Sequence, residues 1–424
     1  MQFFEIVGGP RLKGTVPISG SKNAALPIMA STLLLEGETV LHNVPDLADV
    51  RQLLVLLGRL GVKSHRDASG ALHLRVEDEM NVHAEYDLVS KMRASVCVMG
   101  PLLAKRKQAR VAMPGGCAIG SRPIDLHIHG LRTLGADFEL VGGDVVLRAK
   151  KLSGTDIFLG GPFGSSVTAT ANVMMAATLA EGRTVIASAA CEPEIVDLAD
   201  FLNRCGARIR GQGTPEIVIE GVEQLHGTEH RIIPDRIEAG TYMMAGAITN
   251  GDLELEGARI DHLLAVVDRL RYIGVIVEKT ETGLAVSSAR RLEPVEVTTQ
   301  PFPGFPTDLQ AQLMALLCLA DGNSVITEKV FPDRFLHVGE LNRMGARLRK
   351  EGPTVIIEGI KRFVGAPVMA SDLRASAALI LAGLIAKGTT RVHRAYHIDR
   401  GYEHIEKKLA AVGANIRRLN EEPR

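Results

Sequence analysis

The stretch Leu57-Gly58-Arg59-Leu60-Gly61-Val62 decides the fold, because its pattern of apolar-x-x-apolar-glycine-apolar recurs five more times along the chain. The glycines of successive copies are 68 to 74 residues apart, and the recurrences begin at Leu131, Leu202, Leu270, Leu341 and Leu409. Each copy predicts a helix that ends at a glycine and turns into a strand. Regular spacing of this kind marks an internal repeat, so we predict six similar units.

Within each unit the sequence predicts the order helix, strand, helix, strand, turn, strand. The closing strands alternate apolar and polar residues, as in Ala71–Val76 (ALHLRV) and 354–359 (TVIIEG), which is typical of a half-buried strand. The sixth unit has no closing strand after Gly413, whereas Phe3–Gly8 at the other end of the chain has the right character. We therefore predict that the N-terminal strand completes the last unit.

Six such units exceed one hydrophobic core, which favours two α/β domains of three units each. The unit boundaries place one domain at residues 22–231 and the other at 1–21 together with 232–424. A solenoid is the alternative for a repeat protein, but solenoid units are shorter, roughly 20–45 residues.

Composition limits the class of protein. The 424 residues include 49 Lys plus Arg and 49 Asp plus Glu, which argues against a nucleic-acid or anionic-membrane partner. Five cysteines, an odd number without any C-x-x-C pair, favour a reducing compartment over a disulfide framework. No signal peptide is visible at the N-terminus, and the apolar run 375–386 is too short to span a bilayer. We expect a cytoplasmic protein, with its oligomeric state left open.

Cations recur where the first helix of a unit begins, at Lys22, Arg93 and Arg374. A cation at a helix N-terminus opposes the helix dipole, so its repeated presence indicates an anionic ligand. The neighbouring Ser21, Ser371 and Thr307 are expected to be ordinary N-caps. Two further arginines, Arg334 and Arg400, lie on predicted loops, and for them a solvated surface role and a binding role are equally open.

Cys117 lies in a glycine-rich segment, 115–123, that also contains Arg122. Glycines let the backbone approach a ligand closely, and an arginine lowers the pKa of a nearby thiol. A small hydrophobic packing role is the alternative for any loop cysteine. The segment has the G-x-x-x-x-G frame of a P-loop but carries Ser121 in place of the lysine. His127 and His129 have no further ligands at metal-binding spacing, so no metal site is predicted.

Several long motifs, in the same order along essentially the whole chain, resemble the UDP-N-acetylglucosamine 1-carboxyvinyltransferase family of enolpyruvyl transferases. The motifs are Ser21–Ala25, Pro114–His127, Phe305–Asp308, Asp333–Phe335, Ser371–Ser376 and Tyr396–Gly401. The resemblance implies two inside-out α/β barrel domains, each of three βαβαββ-type units. It also implies transfer of the enolpyruvyl group of phosphoenolpyruvate to UDP-N-acetylglucosamine, the first committed step of peptidoglycan precursor synthesis, without metal or organic cofactor.

The same resemblance assigns roles to individual residues. Cys117 would protonate the methylene carbon of phosphoenolpyruvate, and Asp308 would accept the proton of the sugar hydroxyl. Lys22, Arg122, Arg334, Arg374 and Arg400 would hold the phosphate and carboxylate, with Lys22 and Arg400 also counted as catalytic. The further substrate-binding candidates are Asn23, Arg93, Pro123, Ile124, Asp125, Leu126, Ser166, Val167, Val330 and Asp372.

One motif departs from the family pattern, in which Ser-Val-Gly-Ala-Thr follows a basic or apolar residue. This chain has Gly164 before the motif and Thr168 at its glycine, so sugar-nucleotide affinity or selectivity is in question. Two rival hypotheses are an enolpyruvyl transferase of the shikimate branch and a non-catalytic sugar-nucleotide sensor. The cysteine loop argues against the first, and the intact Cys117, Asp308 and arginines argue against the second.

Overall fold

The computed structural model describes residues 2–114, 124–288 and 292–421. These residues form two compact units with separate hydrophobic cores. We call residues 20–114 and 124–233 the N-unit, and residues 2–19, 234–288 and 292–421 the C-unit. The chain passes from one to the other at 19–20 and at 233–234.

The strands are short and distributed along the described chain. They are β1 Gln2–Val7, β2 Lys13–Pro17, β3 Leu35–Glu36, β4 Glu38–His42, β5 Val62–Arg66, β6 Leu72–Val76, β7 His83–Ala84, β8 Gln108–Ala112, β9 Asp137–Val141, β10 Asp144–Arg148, β11 Asp156–Phe158, β12 Gly160–Gly161, β13 Gly164–Ser165, β14 Arg183–Ala187, β15 Arg208–Arg210, β16 Glu216–Glu220, β17 Leu225–His226, β18 Glu229–Arg231, β19 Asp252–Glu256, β20 Ile276–Lys279, β21 Gly283–Ser287, β22 Glu296–Thr298, β23 Asn323–Thr327, β24 Arg347–Glu351, β25 Thr354–Glu358, β26 Pro367–Met369, β27 Thr389–His393 and β28 Asn415–Asn420.

Helices alternate with these strands. The α-helices are α1 Lys22–Ser31, α2 Ala48–Arg59, α3 Tyr86–Val89, α4 Met99–Arg106, α5 Asp125–Thr133, α6 Val167–Ala177, α7 Pro193–Arg204, α8 Arg236–Ile248, α9 Leu264–Tyr272, α10 Gln310–Leu317, α11 His337–Arg343, α12 Leu373–Ile385 and α13 Ile405–Ala411. Short 3-10 helices cover Thr32–Leu34, Arg93–Val98, Ile260–His262, Thr307–Leu309 and Ala395–Arg400.

The repeat is visible in the sheets, because six four-stranded sheets share one topology. In each, an outer strand pairs in parallel with the second strand, and the remaining two pairings are antiparallel. The orders are β18-β4-β6-β5, β7-β8-β10-β9 and β11-β14-β16-β15 in the N-unit, and β2-β19-β21-β20, β22-β23-β25-β24 and β26-β27-β1-β28 in the C-unit. The predicted sixfold α/β repeat is therefore confirmed.

The six glycines of the repeated pattern all follow a helix and all have a left-handed backbone. Their φ angles lie between 85° and 107°, at Gly61, Gly135, Gly206, Gly274, Gly345 and Gly413. A residue with a side chain is strained in this region, which explains why the pattern keeps glycine at each helix end.

The N-terminal strand β1 completes the sixth sheet, as predicted. It lies between β27 and β28 and pairs antiparallel with both, with Ile6 opposite Thr390 on one side and Ile416 on the other. Two outer strands also come from distant parts of the chain, since β18 joins the first sheet of the N-unit and β2 joins the first sheet of the C-unit. The sequence analysis missed this, because strands of two to five residues carry little periodic signal.

The core of each unit contains helices that are buried on every side. In the N-unit these are α1, α4 and α6, and in the C-unit α8, α10 and α12. Their sequences are apolar or small all around, as in α12 (LRASAALILAGLI), which is the composition of a fully buried helix. Polar side chains on α8, α10 and α12 are concentrated toward the N-terminal turns, whereas the charged residues of α4, Lys105 and Arg106, lie in its last turn. None of the helices in the described residues is both long enough and apolar enough to span a bilayer.

The position of β1 in the middle of a sheet predicts a large effect for a core truncation there. Ile6 is fully buried and packs against α12 at Gly383, so Ile6→Ala should lower the free energy of unfolding by about 2–5 kcal/mol. Val7, 39% exposed, provides the matched control, and Val7→Ala should change it by less than about 0.5 kcal/mol. Urea unfolding followed by circular dichroism measures both, and equal effects would contradict a central place for β1.

Candidate active site

The residues predicted for the site fall in both compact units. The N-unit holds Lys22, Asn23, Arg93, Ile124, Asp125, Leu126, Ser166 and Val167, and the C-unit holds Asp308, Val330, Arg334, Asp372, Arg374 and Arg400. Most of these residues lie at the N-terminal ends of helices or in the turns beside them. Cys117, Arg122 and Pro123 lie outside the described residues.

In the C-unit, Asp308 joins two arginines that are distant in sequence. Its Oδ1 lies 2.7 Å from Nη1 of Arg334, and its Oδ2 lies 2.9 Å from Nη2 of Arg374. The arginine side chains are 8% and 3% exposed, and that of Asp308 is 27% exposed. The 3-10 helix before α10 positions Asp308, a turn positions Arg334, and the first turn of α12 positions Arg374. The structure thus brings three of the predicted residues into direct contact.

This arrangement keeps Asp308 ionised. Burial alone would raise the pKa of its carboxyl, but the charges and hydrogen bonds of Arg374 and Arg334 hold that pKa well below its usual range. With both oxygens engaged by guanidinium groups, the carboxylate is a weak proton acceptor in this arrangement.

A buried glutamate, Glu328, organises the loop beside this cluster. Its Oε2 accepts a hydrogen bond from Thr307 Oγ1 at 2.8 Å, and its Oε1 accepts from the backbone N–H groups of Val330 and Phe331 at 2.9 Å each. Thr307 Oγ1 in turn accepts from Nη1 of Arg334 at 3.1 Å. Glu328 therefore connects the Val330 loop to the arginine. The sequence analysis missed it, because an acidic residue directly after a strand is not distinctive.

Arg374 also faces a polar group of side chains among the core helices. Its guanidinium carbon lies 5.5 Å from the centre of the Tyr402 ring, and the Tyr402 hydroxyl hydrogen-bonds to Thr241 and Gln312 at 2.8 and 3.1 Å. Nη1 of Arg374 is buried and makes no hydrogen bond within the part of the chain that the structure describes. A donor of this kind is suited to an anionic ligand.

The expected caps are only partly correct. Ser21 does cap α1, accepting from the Ala24 N–H at 3.3 Å. Ser371 does not cap α12; Asp372 does, accepting from the N–H groups of Arg374 and Ala375 at 2.8 and 3.1 Å. Thr307 is likewise no ordinary cap, since its hydroxyl joins Arg334 to Glu328. A carboxylate caps α12 better than a hydroxyl because its charge also complements the helix dipole.

Two histidines lie near these residues and were not singled out from the sequence. His337, at the start of α11, is buried, and burial lowers its pKa to about 4, so the ring is neutral near Arg334 and Asp372. Burial, and then the charge of Arg400, lower the pKa of His397. Arg400 itself ends the 3-10 helix Ala395–Arg400 and is half-buried, so it lies on a helix rather than on the predicted loop.

In the N-unit, Lys22 at the start of α1 has an acidic partner that the sequence analysis missed. Its Nζ lies 3.3 Å from Oδ2 of Asp49, and the two side chains are 12% and 6% exposed. Asp308 has the same relation to Arg374. Lys22 and Arg374 therefore have carboxylate partners within the protein, and an anionic ligand is not required to explain these two cations at helix N-termini.

The other predicted residues of the N-unit lie at three helix starts. Ser166 caps α6, accepting from the Ala169 N–H at 3.4 Å, and Val167 is the first residue of that helix. Asp125 and Leu126 open α5 and are exposed and half-buried, respectively. Arg93 opens the 3-10 helix Arg93–Val98, which continues into α4.

The cysteines within the described residues have no activated thiol among them. Burial raises the pKa of Cys97, Cys205 and Cys318 to about 12, and it raises that of the half-buried Cys191 as well. Cys97, Cys205 and Cys318 are buried and Cys191 is half-buried, and the raised pKa values make these four thiols poor candidates for a reactive thiol. Residues 2–114, 124–288 and 292–421 contain no group of three His, Cys, Asp or Glu able to hold a metal ion.

Comparison with known proteins gives concordant results. The family model described as EPSP synthase (3-phosphoshikimate 1-carboxyvinyltransferase) matches residues 6–409. A UDP-N-acetylglucosamine 1-carboxyvinyltransferase of Methylacidiphilum infernorum (isolate V4) is 53% identical over 421 residues, covering 99% of each chain. One of Anaeromyxobacter sp. (strain Fw109-5) is 55% identical over 417 residues, covering 97% of this chain and 98% of the other.

Solved structures are similar over the same length. The enolpyruvyl transferase NikO from Streptomyces tendae has a TM-score of 0.89 at 26% identity, covering 99% of each chain. An EPSP synthase from Acinetobacter baumannii has a TM-score of 0.76 at 21% identity, covering 99% of this chain and 100% of the other, a likeness that concerns the fold alone.

The two ion pairs of Asp308 predict a pH-dependent effect on stability. Asp308→Asn leaves two buried guanidinium groups without a counterion, and this should lower the free energy of unfolding by about 3 kcal/mol or more at pH 7. The pKa of Asp308 is depressed in the folded state, so this contribution is complete above the unfolded value of about 3.9 and is lost as the pH falls through the folded value. Urea unfolding of both proteins at pH 7, 5 and 3 measures it.

The matched control is Asp268→Asn, which removes an exposed ion pair with Arg269 in the same unit. This variant should change the free energy of unfolding by less than about 0.5 kcal/mol. A difference between the wild type and Asp308→Asn that has already vanished at pH 5 would contradict the depressed pKa.

Proposed function

The chain belongs to the UDP-N-acetylglucosamine 1-carboxyvinyltransferase family of enolpyruvyl transferases, and from that premise we propose the reaction it catalyses. It transfers the enolpyruvyl group of phosphoenolpyruvate to the 3′-hydroxyl of UDP-N-acetylglucosamine and releases phosphate. The observation that carries this proposal is identity above 50%, over nearly the full length of both chains, to relatives named for that activity. The reaction supplies the first committed intermediate of peptidoglycan precursor synthesis.

The chemistry proceeds by addition and then elimination. The sugar 3′-oxygen bonds to C2 of phosphoenolpyruvate while C3 gains a proton, which forms a tetrahedral ketal. C3 then loses a proton, the C2–O bond to phosphate breaks, and the enolpyruvyl ether remains on the sugar. Cys117 is the proposed acid at C3, and Lys22, Arg122, Arg334, Arg374 and Arg400 are the proposed partners of the phosphate and carboxylate. The sugar nucleotide is assigned to Asn23, Arg93, Arg122, Pro123, Ile124, Asp125, Leu126, Asp308 and Val330, and the further proposed substrate-binding residues are Ser166, Val167 and Asp372.

The charge arrangement in the C-unit supports this assignment. Arg334 and Arg374 are nearly buried and face one carboxylate, so the three groups carry a net positive charge in a place of low dielectric. Phosphoenolpyruvate brings a phosphate and a carboxylate, both of which match the planar fork of a guanidinium group. An anionic substrate is therefore a natural further partner of this cluster.

The proposed function of Asp308 as a base depends on an exchange of partners, in which the two arginines leave Asp308 and bind phosphoenolpyruvate. While both arginines bind Asp308, its pKa is too low for it to take a proton from a hydroxyl. When phosphoenolpyruvate draws Arg334 and Arg374 toward itself, Asp308 loses stabilising charge and its pKa rises. Phosphoenolpyruvate would thus activate Asp308 as a base. While it is still ionised, the Asp308 carboxylate would also stabilise the positive charge that develops at C2.

The reaction is tested by measuring inorganic phosphate released from phosphoenolpyruvate plus UDP-N-acetylglucosamine. The wild type should release phosphate, and Cys117→Ala should lose activity by a factor of about 10²–10⁴, the usual contribution of a positioned acid. Cys191→Ala is the control and should keep the activity of the wild type, because the Cys191 thiol is half-buried and burial raises its pKa. Equal activity of wild type and Cys117→Ala would contradict the role of the thiol.

Acceptor choice separates this function from that of the shikimate branch, for which the matching family model is named. Because the relatives above 50% identity are named for the sugar nucleotide, we expect phosphate release with UDP-N-acetylglucosamine and only background release with shikimate 3-phosphate. The reverse preference, measured in the same assay, would overturn the proposed substrate. Absence of release with either acceptor would favour a non-catalytic sensor.

A further inference from the structure

A buried asparagine in α6, Asn172, links three helices of the N-unit through its side chain. Its Oδ1 accepts from the Gly100 N–H at 2.8 Å, and its Nδ2 lies 2.8 Å from the Val96 carbonyl oxygen and 2.8 Å from Nδ1 of His127. Asn172 is fully buried and His127 is 2% exposed. Two of these partners are backbone groups, which cannot exchange the roles of donor and acceptor.

Those backbone partners determine the protonation state of His127. The Gly100 N–H can only donate, so it must face the amide oxygen, and the Val96 carbonyl can only accept, so it must face the amide nitrogen. The remaining hydrogen on Asn172 Nδ2 then points to Nδ1 of His127, which must be unprotonated to accept it. The ring is therefore neutral with its proton on Nε2.

The protonated Nε2 faces Thr168, the residue that departs from the family pattern. Nε2 of His127 lies 3.1 Å from Oγ1 of Thr168, and His127 is the donor in this tautomer. Thr168 Oγ1 therefore accepts a hydrogen bond from the buried His127 ring. The hydroxyl proton of Thr168 then remains available for donation to a different group. Thr168 is half-buried and is the second residue of α6, next to Val167 and the cap Ser166.

Close helix packing makes this arrangement rigid. A Cβ added at Gly100 would lie 2.2 Å from the Asn172 carbonyl oxygen, and one added at Gly130 would lie 2.3 Å from Cγ2 of Val173. Both glycines thus allow α4 and α5 to approach α6 closely. The hydrogen bonds of Asn172 and His127 tie these helices together near the starts that carry Arg93, Asp125 and Ser166.

We propose that Thr168 is a further sugar-nucleotide-binding residue, and that His127 and Asn172 are positioning residues that direct its hydroxyl proton toward the ligand. The inference rests on the proposed function, because it takes its ligand from there. The oxygens of a nucleoside diphosphate sugar accept hydrogen bonds, and the positive end of the α6 helix dipole favours an anionic group of this kind. The glycine of the family pattern cannot supply a hydroxyl at this place, so the contact would be particular to chains that carry threonine or serine here.

The test compares Thr168→Val, which keeps the shape but removes the hydroxyl, with Thr168→Ser, which keeps the hydroxyl. Loss of one neutral hydrogen bond to the ligand should raise KM for UDP-N-acetylglucosamine by about three- to tenfold in Thr168→Val, with kcat and KM for phosphoenolpyruvate within about twofold. Thr168→Ser should stay near the wild type. Thr133→Val, which alters an exposed threonine on α5, is the matched control and should change nothing.

An unchanged KM in Thr168→Val, or an equal rise in Thr168→Ser, would overturn the role of the hydroxyl. A wild type without phosphate release would refute the proposed function first, so the two failures are distinguishable. In that case direct titration of both variants with UDP-N-acetylglucosamine by calorimetry replaces KM as the readout.

The positioning role has an independent test by nuclear magnetic resonance of the wild type labelled with ¹⁵N-histidine. The His127 signal is assigned by its loss in His127→Gln. Its ring should be neutral at pH 7 with the proton on Nε2, as the backbone partners of Asn172 require. A proton on Nδ1, or a fully protonated ring, would overturn the assignment of donor and acceptor.

Discussion

Burial of three helices on every side, at the core of each compact unit, is the constraint on which the rest of this structure depends. Such helices have no solvent-facing side on which polar residues can be placed, so charged and hydrogen-bonding groups are restricted to their ends and to a few satisfied positions inside. Arg374 in α12 and Asn172 in α6 are two such positions, and each has defined partners. Most of the proposed site residues therefore lie where helices begin.

The two units satisfy this constraint by different means. In the C-unit the polar groups are charged, and Asp308 neutralises part of the charge of Arg334 and Arg374. In the N-unit, Lys22 and Asp49 form an ion pair at the start of α1, whereas the link inside α6 is neutral, because the backbone partners of Asn172 require a neutral His127. A charged cluster favours ligands that exchange ion pairs, whereas a neutral network fixes the direction of single hydrogen bonds.

The low pKa of Asp308 also clarifies how a carboxylate can serve in a site rich in arginine. A carboxylate that is permanently paired cannot act as a base, and one that is never paired cannot be buried at moderate cost. The proposed exchange of partners with an anionic substrate would resolve this conflict. In the proposed mechanism, the basicity of Asp308 would depend on the presence of phosphoenolpyruvate, so that the acceptor hydroxyl would be activated only when phosphoenolpyruvate is bound.

The sequence by itself determined the sixfold repeat, the glycine at each helix end and the completion of the last sheet by β1, because each of these follows from local periodicity or from a missing strand. The residues of the site came from motif resemblance, and the local pattern indicated only that cations occur at helix starts. Tertiary structure decided which groups pair: Asp49 with Lys22, Glu328 with Thr307, and His127 with Thr168. Such partners are separated by many residues and meet only through packing, and no period within the chain encodes which distant side chains will touch.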